Sequence, residues 1–285
     1  MTRSAAVLAA AVVLAACKQE PDWVPDTLSP PAGLDPDAPP SAMLPGWSPD
    51  ADTSWQWQLQ GTIDTSYDAA LYDVDLFETP DDVIAALHAA DRRVVCYFSA
   101  GSGEDYRDDY DRFLDSDLAK PLDGWPGERW LDVRSANVVQ IMADRIAYAA
   151  ERGCDGVEPD NVAAFEEDTG FALSARDQLA FNRHLANLAH EAGLAVALKN
   201  DGTQALELVD YFDFELNEQC HEYDECDALA PFVEAGKAVL NAEYAGSAAK
   251  AEALATSLCP AAAAAHTRTL ILPLELDDAF RVACP

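Results

Sequence analysis

Acidic side chains close several apolar runs of this sequence. Glu158-Pro159-Asp160-Asn161 ends one run, Glu215-Leu216-Asn217-Glu218 a second, and Asn241-Ala242-Glu243-Tyr244 a third. Lys199-Asn200 ends a fourth, and Asp73 and Asp75 sit inside a fifth. A charge taken out of water costs several kcal/mol unless it is paired or hydrogen-bonded. For one carboxylate alone, such as Asp75 or Glu158, the plain role is a salt bridge to Lys199 or Arg134. As a set they read as paired acid/base chemistry. No GxSxG, HExxH or CxxC is present, so nucleophilic-serine and zinc chemistry lack their usual residues. Glycoside hydrolysis is the commonest reaction of two carboxylates without a metal. Trp55, Trp57, Tyr97, Trp125, Trp130 and Tyr244 offer faces for a sugar, although core packing is the ordinary role of any one of them.

Such groups need a scaffold that gathers strand ends. Eight short β-rich runs are predicted: Trp55–Leu59, Tyr72–Phe77, Arg93–Ser99, Cys154–Asp160, Leu194–Asn200, Tyr211–Asn217, Ala238–Tyr244 and Thr269–Leu274. Helical patterns separate them. Thr79-Pro80-Asp81-Asp82 predicts a helix start with Thr79 as cap, and Ser135 and Ser174 are further caps. Gly153, Gly193 and Gly236 each follow a helical pattern, where a left-handed residue ends a helix. Eight alternating β and α units from residue 54 onward predict an α/β fold, a (β/α)8 TIM barrel, with a doubly wound open sheet as runner-up. In such a barrel chemistry gathers at the C-terminal ends of the strands. The acidic stretch Glu104–Asp117 reads as a solvated loop and helix face.

The N-terminus is a targeting segment. Residues 1–16 combine Arg3 with an apolar run too short to span a bilayer, and Leu14-Ala15-Ala16-Cys17 resembles a bacterial lipobox. Cys17 is then the lipidated first residue of an exported, membrane-anchored protein. Lys18 is not an inner-membrane retention Asp, which favours an outer membrane or cell surface. Residues 17–53 are rich in proline and read as an extended, disordered tether. Six cysteines remain, an even set that suits disulfides in an exported protein. Spacing favours Cys220–Cys226 and Cys259–Cys284. Cys96 and Cys154 are left as a third pair or as buried free thiols.

The 285 residues carry 18 Lys+Arg against 51 Asp+Glu, a formal charge of −33. That acidity repels phosphate and argues against nucleic-acid binding. It leaves two readings open: general solubility, or a cationic partner.

The strings WQWQLQG, YDVDLF, CYFSAGSGEDYR, GERWLDVR, CDGVEPDNV, LKN, FDFELNEQCHEYDEC and GKAVLNAEY occur in that order. Together they resemble the endo-α-1,4-polygalactosaminidase family, glycoside hydrolase family 114, from about Ser54 to Cys284. Cys154 departs from the aromatic residue common in the family before Asp-Gly. The resemblance implies a (β/α)8 barrel that cleaves α-1,4-linked galactosamine, a cationic polysaccharide. It places the catalytic carboxylates at Asp160 and Glu218. By analogy with other barrel glycosidases Asp160 is the nucleophile and Glu218 the general acid/base of a retaining reaction. Asp75, Glu158 and Glu243, with Asp73 or Glu104, are then candidates for the substrate's ammonium groups. Asn161, Lys199 and Asn200 orient carboxylates or sugar hydroxyls, and Tyr97 and Tyr244 contact the sugar. A monomer with no cofactor and no metal is expected. Two alternatives are a glycosidase of another α-linked polysaccharide and a lipoprotein that binds cationic glycans without cutting them.

Overall fold

The computed structural model describes residues 34–43 and 45–284. The targeting segment and Cys17 lie outside them. Among the described residues there are twelve strands: β1 (Trp55–Gln58), β2 (Leu71–Asp75), β3 (Arg93–Ser99), β4 (Ser102–Glu104), β5 (Leu118–Pro121), β6 (Glu128–Leu131), β7 (Gly156–Asp160), β8 (Ala195–Lys199), β9 (Phe214–Glu218), β10 (Val239–Tyr244), β11 (Arg268–Leu272) and β12 (Val282–Ala283). The helices are α1 (Asp81–Ala89), α2 (Ala136–Arg152), α3 (Ala175–Glu191), α4 (Ala205–Leu208), α5 (Cys220–Tyr223), α6 (Ala230–Glu234) and α7 (Ala248–Ala265).

β1-β2-β3-β7-β8-β9-β10-β11 pair in that order, all parallel, and the antiparallel β12 flanks β11. This is the eight-stranded (β/α)8 barrel. All eight predicted strands form, with ends moved by up to three residues. The seam between β1 and β11 is held by individual bonds: Trp55 Nε1 donates to the Arg268 carbonyl (2.8 Å), and Leu59 N to the Leu276 carbonyl (3.0 Å).

Alternation along each strand sorts the interior. One apolar cluster contains Trp55 and Trp57, Ala195 and Ala197, Phe214 and Leu216, Leu240 and Ala242, and Leu270 and Leu272. Each pair is two residues apart, so both members face the same side of the sheet. One further step of two reaches Lys199 on β8, Glu218 on β9 and Tyr244 on β10. A single-residue slip of any strand turns its functional group out of the barrel. The larger cluster fills the layer between sheet and helices with Val94, Cys96, Phe98, Ile141, Phe181, Leu198 and their neighbours.

The caps divide. Ser135 accepts from Asn137 N, and Ser174 forms a capping box with Asp177. Gly153, Gly193 and Gly236 are left-handed, as predicted. Thr79 is not the cap of α1: Pro80 takes that place, one residue later, without a side-chain hydrogen bond.

Two expectations are corrected. Within the predicted tether, residues 34–43 and 45–53 lie along the barrel exterior instead of extending free. Leu34 is buried, Arg183 donates to the Pro36 carbonyl, Tyr211 to the Ala38 carbonyl and Asn187 to the Pro39 carbonyl. Proline prevents regular structure but leaves every carbonyl free to accept a side-chain donor, so an irregular segment can still be fixed. The stretch Glu104–Asp117 is a loop exposed over most of its length, as expected, but it forms no long helix and is not solvated throughout. Glu104, Arg107 and Asp117 are buried, and Asp117 accepts from Ser135 Oγ and Asn137 Nδ2, both at 2.7 Å.

All three cysteine pairs are disulfides: Cys96–Cys154, Cys220–Cys226 and Cys259–Cys284. The third pair, open from sequence, joins β3 to the connection just before its neighbour β7 across a separation of 58 residues. Loop-closure entropy gives such a bridge roughly 4 kcal/mol against about 2 kcal/mol for a six-residue loop. Cys220 and Cys226, with His221, are the one group of metal-ligating side chains among the described residues. Their disulfide removes both thiolates from that role.

Candidate active site

A cleft of about 1310 Å³ opens over the C-terminal ends of the barrel strands. Its centre is the Lys199 ammonium. Lys199 Nζ lies 3.0 Å from Asp160 Oδ1, 3.1 Å from Glu218 Oε2 and 3.3 Å from Glu158 Oε1, and 5.1 Å from the centre of the Trp57 ring. Burial opposes its charge. Asp160, Glu218 and Glu158 outweigh that effect and hold it well above the usual lysine range.

Asp160 and Glu218 retain partial exposure, 19% and 27% of their side chains. Asp160 also accepts from Tyr97 OH (3.1 Å) and from the Asn161 backbone N–H (2.7 Å). Glu218 accepts from Asn200 Nδ2 (3.2 Å) and from Tyr244 OH. Asn200 Oδ1 in turn accepts from Glu218 N (2.9 Å) and Asn217 Nδ2 (3.2 Å). Asn161, Asn200, Asp201 and Gln219, which directly follow β7, β8 and β9, all have positive φ, between 47° and 61°. Non-glycine residues in that region cluster at functional sites, because other contacts must hold them there. Here the turn swings each Asn back onto a carboxylate.

Not every predicted binding residue faces the cleft. Asp75 accepts both Arg107 guanidinium nitrogens (2.9 and 2.5 Å), and Glu104 accepts Arg107 at 2.8 Å. Both line the cleft but carry an internal partner. Glu158 and Asp73 are wholly buried beneath Lys199 and reach no solvent. Burial raises both, Glu158 to about 7 and Asp73 well above its ordinary value, where the charge of Glu158 adds to the shift. A neutral Asp73 can donate to Glu158, so they form a support under the ammonium and not a substrate contact. Glu243 faces a neighbouring pocket, where it accepts from His221 N (2.9 Å) and Asn241 Nδ2 (3.2 Å). Glu215, one residue out of step with Phe214 and Leu216, is wholly buried outside the barrel interior, and burial with the nearby Asp201 charge raises its carboxyl well above the ordinary value. Trp55 is core, while Trp57, Trp125 and Trp130 line the cleft.

The cleft holds more than the strand ends announced. Thirteen carboxylic residues line it: Asp75, Glu78, Glu104, Glu128, Asp160, Glu166, Glu167, Asp201, Glu218, Asp224, Glu225, Asp227 and Glu275. Its basic residues are Arg107 and Lys199, both already paired. Arg107 and Glu128 are site residues that the sequence alone does not mark. Both belong to the β3–α2 connection, where β4, β6 and β5 form a small antiparallel wall. Glu128-Arg129-Trp130-Leu131, two charged residues and then two apolar ones, carries no period that marks Glu128 as inward-facing.

Asp201 yields a stability prediction. Burial raises its carboxyl to about 8, with the nearby Glu166 charge adding to the effect. The folded form therefore keeps a proton that the unfolded chain gives up near pH 4. The stability it contributes is complete below pH 4 and is lost as pH rises through about 8. Asp201→Asn, neutral throughout, should gain on wild type by on the order of 4 kcal/mol between pH 5 and pH 8.5. Urea unfolding at the two pH values tests this; equal offsets at both would contradict it.

Two carboxylates facing a cleft at the C-terminal ends of TIM-barrel strands are the arrangement of a barrel glycoside hydrolase. The sequence profile of glycoside-hydrolase family GH114 matches residues 36–285, so the chain belongs to that family and is a glycoside hydrolase. It is similar to Ega3 of Aspergillus fumigatus, solved in complex with galactosamine, at 41% identity and a TM-score of 0.78. That match covers 84% of this chain and 98% of the other. The glycoside hydrolase domain of PelA from Pseudomonas aeruginosa shares the fold, with a TM-score of 0.64, 12% identity, and 81% and 97% coverage. Among curated proteins none matches the chain.

Proposed function

We propose that this enzyme is an endo-α-1,4-polygalactosaminidase that cuts galactosamine polymers with retention of configuration. The acidic cleft carries the reading. Thirteen carboxylic residues face two cations that are already engaged, so the site has negative charge to spare for a polymer with an ammonium on each sugar. The likeness to a galactosamine-bound enzyme supports the same substrate. Exposed Tyr106 and Trp125 on the cleft wall offer stacking faces for further sugar units.

The spacing supports retention. Asp160 Oδ1 and Glu218 Oε2 both contact one nitrogen, so these oxygens lie no more than two hydrogen-bond lengths, about 6 Å, apart. Retaining glycosidases hold their carboxyls at about 5–5.5 Å, and inverting ones at about 6.5–9.5 Å. Asp160 attacks the anomeric carbon while Glu218 protonates the leaving oxygen. Glu218 then takes a proton from water, which releases the sugar from Asp160. A galactosamine amine has no amide oxygen to serve as internal nucleophile, so the enzyme must supply one.

The direct test is digestion of deacetylated and N-acetylated polymer with products read by mass spectrometry. Oligomers of several sizes should come from the deacetylated polymer alone, and kcat/KM should fall several-fold between 0.05 and 0.5 M salt as the cleft is screened. Unchanged rates across that range would return the acidity to general solubility.

Export and anchoring at Cys17 belong to the same reading. Three disulfides fit an oxidising compartment. Among the described residues no helix is long and apolar enough to cross a membrane. Cys17→Ala should move the protein from the membrane fraction to the soluble fraction of its cell. If Cys17→Ala stays with the membrane fraction, lipid anchoring is wrong.

A further inference from the structure

Glu128 stands opposite Glu104 across the β4–β6 pair. Like charges in directly opposed positions destabilise a sheet. Glu104 is neutralised by Arg107 at 2.8 Å, with Arg145 at 3.8 Å. Among the described residues no such ion pair serves Glu128, although it is only 7% exposed.

The surrounding donors all point toward this carboxylate. Asn161 Nδ2 donates to Ser99 Oγ (3.0 Å), Ser99 and Ser102 share a hydroxyl bond (2.7 Å), and Ser102 Oγ donates to Glu128 Oε2 (2.7 Å). Ser102 gives its proton to Glu128, so Ser99 must give its own to Ser102. The chain is thus polarised in one direction and ends on a negative oxygen. It starts at Asn161, whose backbone N–H holds Asp160. Glu128 is therefore fixed at a set position relative to the proposed nucleophile. Its Oε1 has no hydrogen-bond partner among the described residues, and Glu128 lines the cleft.

A nearly buried, hydrogen-bonded carboxylate with an open oxygen lacks only its cation. On the galactosamine reading, which this inference extends, the ligand brings one. The amine sits on the carbon next to the anomeric carbon that Asp160 attacks. We infer that Glu128 is a specificity residue that receives this ammonium in the subsite beside Asp160 and so selects the free amine over its acetylated form.

The charge balance agrees. Burial raises the Glu128 carboxyl to about 7; Ser102 opposes the rise, Glu104 and Asp160 add to it, and Arg107 opposes it. The hydroxyls of Tyr97 and Tyr106 also feel its charge and stay neutral. At neutral pH Glu128 is thus partly protonated, and an arriving ammonium expels that proton.

The test is titration calorimetry with an α-1,4-galactosamine tetramer and its N-acetylated counterpart. It uses Glu218→Gln protein to prevent cleavage, at pH 7, in two buffers of different ionisation enthalpy. The parent should release a fraction of a proton on binding the free-amine tetramer. Adding Glu128→Gln should abolish that release and weaken binding about ten- to a hundredfold, the loss of one charge-assisted bond. Glu128→Asp should recover part of both. Melting temperatures within a few degrees of the parent show that the fold survives. Binding by Glu128→Gln within twofold of the parent, or the same proton release, overturns the inference while polymer cleavage by wild type leaves the galactosamine reading standing. So does an Asp variant as weak as the Gln variant, because the role is then one of shape. If wild type neither binds nor cuts the polymer, the galactosamine reading falls and takes this inference with it.

Discussion

Asp160→Asn and Glu218→Gln should each lower kcat by roughly 10³- to 10⁴-fold with KM changed far less, the range for losing a group that acts in the transition state. Both replacements keep shape and hydrogen-bonding reach. Asn161, Tyr97 and Asn200 can still hold them, and the fold should persist. Added azide separates the two roles. In Asp160→Asn it takes the place of the missing nucleophile and gives the β-glycosyl azide by a single inversion. In Glu218→Gln it attacks the covalent intermediate, where no general base is needed, and gives the α-azide by double inversion. Proton NMR of the anomeric centre reads the difference directly. The opposite pattern would exchange the two assignments, and near-wild-type rates in either variant would remove that residue from the chemistry.

Lys199→Met should be the most damaging substitution for stability as well as activity. Its side chain is 2% exposed and is the shared cation of Glu158, Asp160 and Glu218. Removing one partner of a buried ionic group leaves charge uncompensated and typically costs about 3–5 kcal/mol. Three carboxyls would then face one another, with Asp73 beneath Glu158, and extra protons would have to bind to relieve the repulsion. Asp160 and Glu218 would lose the one group that positions both, so kcat should fall at least a hundredfold at neutral pH. Lys199→Arg should not restore it, because a planar guanidinium fork does not fit a site where three oxygens converge on one point. Urea denaturation and steady-state rates of both variants check this. A Met variant with wild-type stability and rate would show that the lysine is not the organising charge.

The barrel was legible because each unit announced itself locally. Short β-rich runs, capping serines at 135 and 174, and terminal glycines at 153, 193 and 236 are signals carried by a few adjacent residues. Asp160, Glu218, Lys199 and Asn200 could be placed at strand ends for the same reason. Sequence could not assign faces. Glu158 and Asp160 share one strand and one face, yet one lies under Lys199 and the other beside the cleft. Glu215 and Glu218, three residues apart on β9, point to opposite sides. Asp75 meets Arg107 across 32 residues of chain, a pairing with no local signal. Proline at 36 and 39 looked like freedom and is fixed contact, because what holds the segment is side chains on α3.

The composition alone established an acidic chain, and the ordered motifs established the barrel and its two central carboxylates. Strand register and the folding of the β3–α2 connection decided the rest: which acids are spent on Arg107 and Lys199, which are sealed in the barrel, and which remain open to a cation. That division depends on distances between residues far apart in the chain. Electrostatic energy follows distance and burial, so the same fifty-one acids could not be sorted before the chain was folded.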